Sequence, residues 1–177
     1  MLSAPAMKNA EVLFLAMAPA VLLACGGGAR DAVAPVNSAP NLITLADTPA
    51  GHKQLIDTLA KTGHQCEDAG KAVACDAKKE HAFTFAAAFA ESPHRVVFVV
   101  PSAMKVPCEQ AAPRFNALNH EFDTVTLTCE NNDFAAAGVL VVPKAGFAPT
   151  EVTDYVDPWL AQLATIIQAN HLEEIVK

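Results

Sequence analysis

The sequence predicts an α+β domain, an antiparallel sheet of about six strands with helices packed on it, in the order α-β-β-β-β-α-β-β-α. Three observations carry that expectation. Two short turn signals, Gly70-Lys71 and Asn131-Asn132, each sit between runs that read as paired strands. Arg95 to Pro101 is a continuous apolar run of strand length. Three further segments place apolar residues at three- and four-residue steps, the spacing of one helix face.

Each element has its own local reason. Thr48-Pro49 is an N-cap followed by proline in the first turn, Leu55, Ile56 and Leu59 form a stripe, and Gly63 stops a helix predicted over Pro49 to Thr62. In "HQCEDAGKAVACD" a Gly70-Lys71 loop sets Ala69 opposite Ala72, Glu67 opposite Ala74 and Cys66 opposite Cys75, with glycine suited to a type II′ turn. The next strands are "HAFTFAAAF", with Phe83, Phe85 and Phe89, and "RVVFVVP", ended by Pro101; "ESPH" links them as a turn. Pro107 opens a second helix through Glu121 with Ala111, Phe115, Leu118 and Phe122 on one face and a break or kink at Pro113. Asn119 and His120 are read as C-terminal capping groups. The Asn131-Asn132 turn puts Val125, Leu127 and Cys129 on one face with Phe134, Ala136, Leu140 and Val142, and Thr124, Thr126 and Thr128 on the other with Val139 and Val141. A last helix, kinked at Pro158, carries Val152, Tyr155, Val156, Trp159, Leu160, Leu163, Ile166 and Ile167.

Composition bounds function. With 177 residues, 52% hydrophobic and 18% charged, the chain fits one domain plus an extra segment, and it can bury a sizeable core. Alanine is about a fifth of it and aromatics 6%, so nine phenylalanines supply most of the large core pieces. A net charge of −7 with no Lys/Arg cluster argues against a nucleic-acid partner. No Gly-x-Ser-x-Gly, His-Glu-x-x-His or phosphate loop occurs, and the histidines His52, His64, His81, His94, His120 and His171 are scattered, most of them expected in solvent. The pairs Glu67-Asp68 and Glu130/Asp133 flank turns and are read as turn residues. No catalytic, cofactor-binding or metal-binding residue is assigned, and whether the chain is an enzyme stays open.

The N-terminal segment bears on location. Lys8 precedes Val12 to Leu23, an uncharged apolar run of signal-peptide length, too short for a bilayer-spanning helix of ~20 residues. Met7-Lys8 reads as a more natural start than Met1. Leu22-Leu23-Ala24-Cys25 resembles the lipobox of bacterial lipoproteins, whose cysteine takes a diacylglyceryl thioether and becomes the first residue after cleavage. The resemblance implies a signal peptide over residues 1–24, a lipid-anchored Cys25, a Gly/Pro-rich tether to residue 47 and a globular domain over 48–177. Gly26 and Gly27 lack the aspartate that holds enterobacterial lipoproteins at the inner membrane. An outer-membrane anchor facing the periplasm, or the outer face of a single membrane, is therefore expected.

Export makes the four remaining cysteines candidates for disulfides. Three pairings exist. The hairpin register selects Cys66 with Cys75, leaving Cys108 with Cys129, and loop closure assigns them ~2.7 and ~3.4 kcal/mol. A zinc reading of His64, Cys66, Cys75 and His81 fits no common ligand spacing.

From "RFNALNHEF" through "TVTLTCENNDFAAAGVLVVP" to "APTEVTDYVDPWLAQLATII" the chain resembles the YbjN-type domain of the type III secretion chaperone-like fold, with its Leu118-Asn119 pair, hairpin and final helix. The resemblance implies a non-enzymatic protein-binding or chaperone-like module without a cofactor, and it leaves room for a homodimer. The alternatives are an exported hydrolase-like enzyme and a small-ligand or metal-binding lipoprotein.

Overall fold

A computed structural model describes Leu42 to Lys177 apart from Thr44, residues 78–82, 92–93 and 144–145, and Phe147. Cys25 and the whole segment before Leu42 lie outside the described residues, as do His81 and the Ser92-Pro93 centre of the "ESPH" link. Helix α1 spans Pro49–Ala60, strands β1 to β4 span Gln65–Asp68, Val73–Asp76, Thr84–Glu91 and His94–Ala103, and α2 spans Cys108–Glu121. Strands β5 (Thr126–Glu130) and β6 (Asp133–Val141) and helix α3 (Pro149–Ala169) follow. The element order is the predicted one. The strands form a single antiparallel sheet ordered β1-β2-β3-β4-β6-β5.

Turn chemistry sets the registers. Gly70 has φ +84°, and the hairpin pairs Cys66 with Cys75 and Glu67 with Ala74, as read from the loop. Asn131 and Asn132 both take positive φ, 51° and 66°, and the paired residues Glu130 and Asp133 follow. The cysteine sulfurs lie at bonding distance, 2.09 Å for Cys66–Cys75 and 1.96 Å for Cys108–Cys129.

Three boundaries differ from expectation. Strand β4 continues through Pro101 to Ala103, because β3 stops pairing at Ala86↔Val99 and beyond it β4 has only β6 beside it, an edge position that tolerates proline. Helix α2 runs through Pro113 without a break, and α3 runs through Pro158 as its stripe predicts. Helix α1 starts as predicted, the Thr48 hydroxyl accepting from the Gly51 N–H at 3.1 Å, and it ends at Ala60 before Gly63 at φ +95°. The sequence also hid the C-terminus. A 3₁₀ turn at Leu172–Glu174 leads Val176 into a bridge with Met104, and Leu172, Ile175 and Val176 are buried.

Alternation along the strands makes the sheet one-sided. Val73, Cys75, Phe85, Ala87, Val96, Phe98, Phe134 and Ala136 are buried on one face, which the helices cover. Helix α3 buries Val152, Val156, Trp159, Leu160, Leu163 and Ile166, with Trp159 and Tyr155 against the Phe98 ring. This seat depends on Gly138. A Cβ there would lie 2.5 Å from Trp159 Nε1 and 2.7 Å from the Tyr155 hydroxyl oxygen, so only glycine lets the helix come so close.

Two of the histidines expected in solvent are buried. The His52 ring stacks on Phe89 at 5.0 Å and faces Asp68 Oδ1 through Nδ1 (2.9 Å) and Asp47 Oδ1 through Nε2 (3.1 Å). A neutral ring can donate to only one of those carboxylates, the imidazolium to both. His64 meets Asp157 at 2.9 Å through Nε2, edge-on to Phe85. Their spacing had shown no partner because Asp157 lies ninety-three residues away from His64 along the chain. Together the pairs tie α1 and its following turn to the hairpin and to α3.

The His52 contact, followed by the Gly70 N–H, holds the Asp68 carboxyl below the usual carboxylate range. A depressed folded-state pKa stabilises above the unfolded value of ~3.9, and that contribution is lost as pH falls through the folded value. Urea titrations of wild type and Asp68→Asn from pH 7 to pH 2 should therefore show a stability gap that closes on acidification; a gap constant with pH would remove the pair from the acid response. Gly138→Ala should lower stability by ~1–3 kcal/mol through overpacking. Ala137→Val, on the opposite face beside it, should change little in the same urea measurement.

Candidate interaction surface

The second face of the sheet has a different composition. Across the strands, one level holds Glu67, Ala74, Ala86, Val99, Ala137 and Thr126. Two residues along, toward the β3–β4 link, come Ala88, Val97 and Val139, then Ala90, Arg95 and Val141. In the other direction lie Gln65, Asp76 and Thr84, with Pro101, Ala135 and Thr128, and then Ala103, Asp133 and Glu130. None of these residues is buried, and Val139 and Val141 are 45% and 66% exposed. The ring contacts that seat α1 and α3 all fall on the opposite face, at Phe85, Phe89 and Phe98. The result is a patch of alanine and valine with a polar rim. A patch of this kind marks an interaction site more often than a lone surface aliphatic does.

Arg95 is the cation within the patch. Its Nε is buried and has no acceptor among the described residues. A buried donor left unpaired costs stability unless an acceptor arrives from outside.

The sheet edges are treated differently. Asn119, expected as a helix cap, instead turns its amide onto β5: Nδ2 donates to the Leu127 carbonyl at 2.8 Å and Oδ1 accepts from the Leu127 N–H at 2.7 Å. Those two bonds are what a neighbouring strand would make, so α2 closes this edge, reinforced by Cys108–Cys129. The Leu118-Asn119 pair was visible in sequence; its target was not, because it requires knowing that α2 lies along β5. The outer edge at β1 is four residues long and carries Glu67 and Asp68, features that limit edge-to-edge pairing.

Outside the buried His52 contacts with Asp47 and Asp68 and the His64–Asp157 pair, chemistry-bearing groups are dispersed among the described residues. His94, His120 and His171 are exposed, and Glu130 and Asp133 flank the Asn131-Asn132 turn in solvent. A depression of about 180 Å³ is lined by Asp123, Thr124, Thr126, Ala137, Gly138, Val139 and Tyr155, one carboxylate among hydroxyls. Burial pushes the Tyr155 phenol up, opposed by a hydrogen bond with the Val139 backbone. A phenol shifted upward stays protonated at neutral pH. Cys66 and Cys75 face each other across the hairpin and Cys108 and Cys129 link α2 to β5, which is a bracing role.

No family model matches the sequence, and no curated protein matches it. Among solved structures, E. coli YbjN, described as a candidate transcription regulator, is similar with a TM-score of 0.57 at 15% identity, over 76% of this chain and 99% of that one. A chain of the HopA1–SchA chaperone–effector complex aligns with a TM-score of 0.45 at 10% identity, over 64% of this chain and 88% of that chain. The fold of this domain is therefore that of YbjN.

Proposed function

We propose that the protein is an exported, lipid-anchored, non-enzymatic binding module, held at a membrane through Cys25, whose uncovered sheet face engages protein. The observation that carries the reading is that face: a patch of exposed Val139 and Val141 among alanines, on a sheet whose other side is filled by helices. The leader and the Leu22-Leu23-Ala24-Cys25 box support the anchor, and disulfide pairing suits an oxidising compartment. Among the described residues no helix is long and apolar enough to cross a membrane. The shared fold with YbjN supports the domain type and leaves the role to experiment.

Cys25→Ser should move the protein from the membrane to the soluble fraction and abolish the mass increment of a lipidated N-terminus. Retention in the membrane with an unlipidated Cys25 in wild type would refute the anchor. For the face, a photo-crosslinking residue at Val97 should trap protein in the native host, whereas one at Gln168 on the exposed side of α3 should not. Absence of any protein adduct at Val97 would sink the binding-module reading.

A further inference from the structure

We propose that the open face binds a protein surface with the complementary order of charge: an apolar centre, basic residues where it meets the Asn131-Asn132 turn, and an acidic residue where it meets Arg95. The inference rests on the reading of this face as a protein-binding surface and specifies the chemistry and direction of its partner. Its first support is the distribution of charge. Among the described residues the face carries the exposed carboxylates Glu67, Asp76, Glu130 and Asp133 against the single guanidinium of Arg95. Glu67 lies on the outer strand β1 and the other three lie toward the end of the sheet away from the β3–β4 link. The middle, at Ala86, Ala88, Val97, Val99 and Ala137, is uncharged.

The second support is a pair that works against the hairpin holding it. Glu130 and Asp133 are directly opposed across β5 and β6, both exposed on this face, and neither has an ion-pair partner among the described residues. Like charges in that position destabilise a sheet. Lys105, two residues past the Ala103 that pairs with Asp133, turns its ammonium to the Glu173 carbonyl instead. A Lys or Arg from a partner, seated between the two carboxylates, converts the repulsion into charge-assisted hydrogen bonds.

Arg95 makes the converse case at the other end. Its neighbours at that level are Ala90 and Val141, and its buried Nε has no acceptor among the described residues. A carboxylate from the partner supplies one. Arg95 and Ala103 are eight residues apart on β4, ~27 Å at ~3.4 Å per residue. A partner engaging both ends therefore presents its acidic and basic groups ~27 Å apart, about five turns if the element is a helix. Docked in reverse, the same partner would set cation on Arg95 and carboxylate on Glu130 and Asp133, so the face accepts one direction and rejects the other.

The test uses full-length protein in its native host with the photo-crosslinking residue at Val97. Glu130→Lys with Asp133→Lys should cut the yield of its protein adduct about tenfold, as should Arg95→Glu, with circular dichroism to confirm the fold. Asp133→Lys alone should raise the urea midpoint of the purified protein while lowering the adduct, because it makes the cross-strand pair attractive; a purely structural role would move stability and capture together. With the photo-crosslinking residue moved to Ala135, beside the acidic end, attachment sites mapped by mass spectrometry should lie next to Lys or Arg of the captured protein. From Ala90 they should lie next to Asp or Glu. Adducts indifferent to the charge changes, or attachment sites without that order, overturn the proposal and leave the binding reading standing. Absence of any protein adduct at Val97 overturns both.

Discussion

The architecture depends on the contact between α3 and the glycine of β6. Trp159 and Tyr155 press against Phe98 only because Gly138 offers no side chain, and the two aromatic residues sit one helical turn apart on a stripe that also supplies Val156, Leu160 and Leu163. Once α3 is seated there, it covers the centre of the sheet. Helix α1 then packs against it toward β1, with the His64–Asp157 pair joining the two sides of that contact, and α2 takes the remaining edge at β5. Trp159 Nε1 is buried without an acceptor among the described residues, a cost that the aromatic packing has to offset.

Filling one side of the sheet so completely decides what the other side can be. Strands with period-two alternation send Phe85, Phe98 and Phe134 to the helices and Ala86, Val97 and Ala135 away from them. All three helices of the described residues are spent on the covered face and the β5 edge. Among the described residues no helix lies over the opposite face, while the edges are closed by Asn119 at one end and kept short and acidic at the other. Surfaces suited to strand addition are suppressed and a surface suited to face packing is kept. The proposed partner would therefore meet the face and not an edge.

Much of this was legible before the structure. Turn chemistry was the strongest signal: Gly70 and the two asparagines determine hairpin registers within a few residues, and from one register the Cys66–Cys75 partnership follows. Helix existence was equally clear from the stripes of α2 and α3, whose prolines lie within the helices without ending them. What stayed hidden depended on distance along the chain. His64 with Asp157, His52 with Asp68 and Asn119 with Leu127 are all polar residues whose partners are set by the packing of whole elements. A scattered histidine in the sequence cannot be told from a clamped one. Likewise the alanine-rich run of β3 reads as core until the pairing shows that Ala86, Ala88 and Ala90 face away from the helices.

The same logic explains why the candidate site is a surface and not a pocket. A domain of this composition has small residues to spare, and it uses them where close approach matters: Gly138 on the inside, alanines on the outside. On the inner face the missing side chain admits a helix of the same chain. On the outer face the missing bulk leaves a low apolar surface at the centre of the sheet that a partner could approach closely, with Arg95 as the polar group that would fix its orientation. Hydrophobic contact over such a surface is non-directional, so orientation has to come from the few charged residues at its ends. In this sheet the charges are sorted along the strands, Arg95 at the end of β4 beside the β3–β4 link and Asp133 with Glu130 at the other, so the two ends of the face differ in sign.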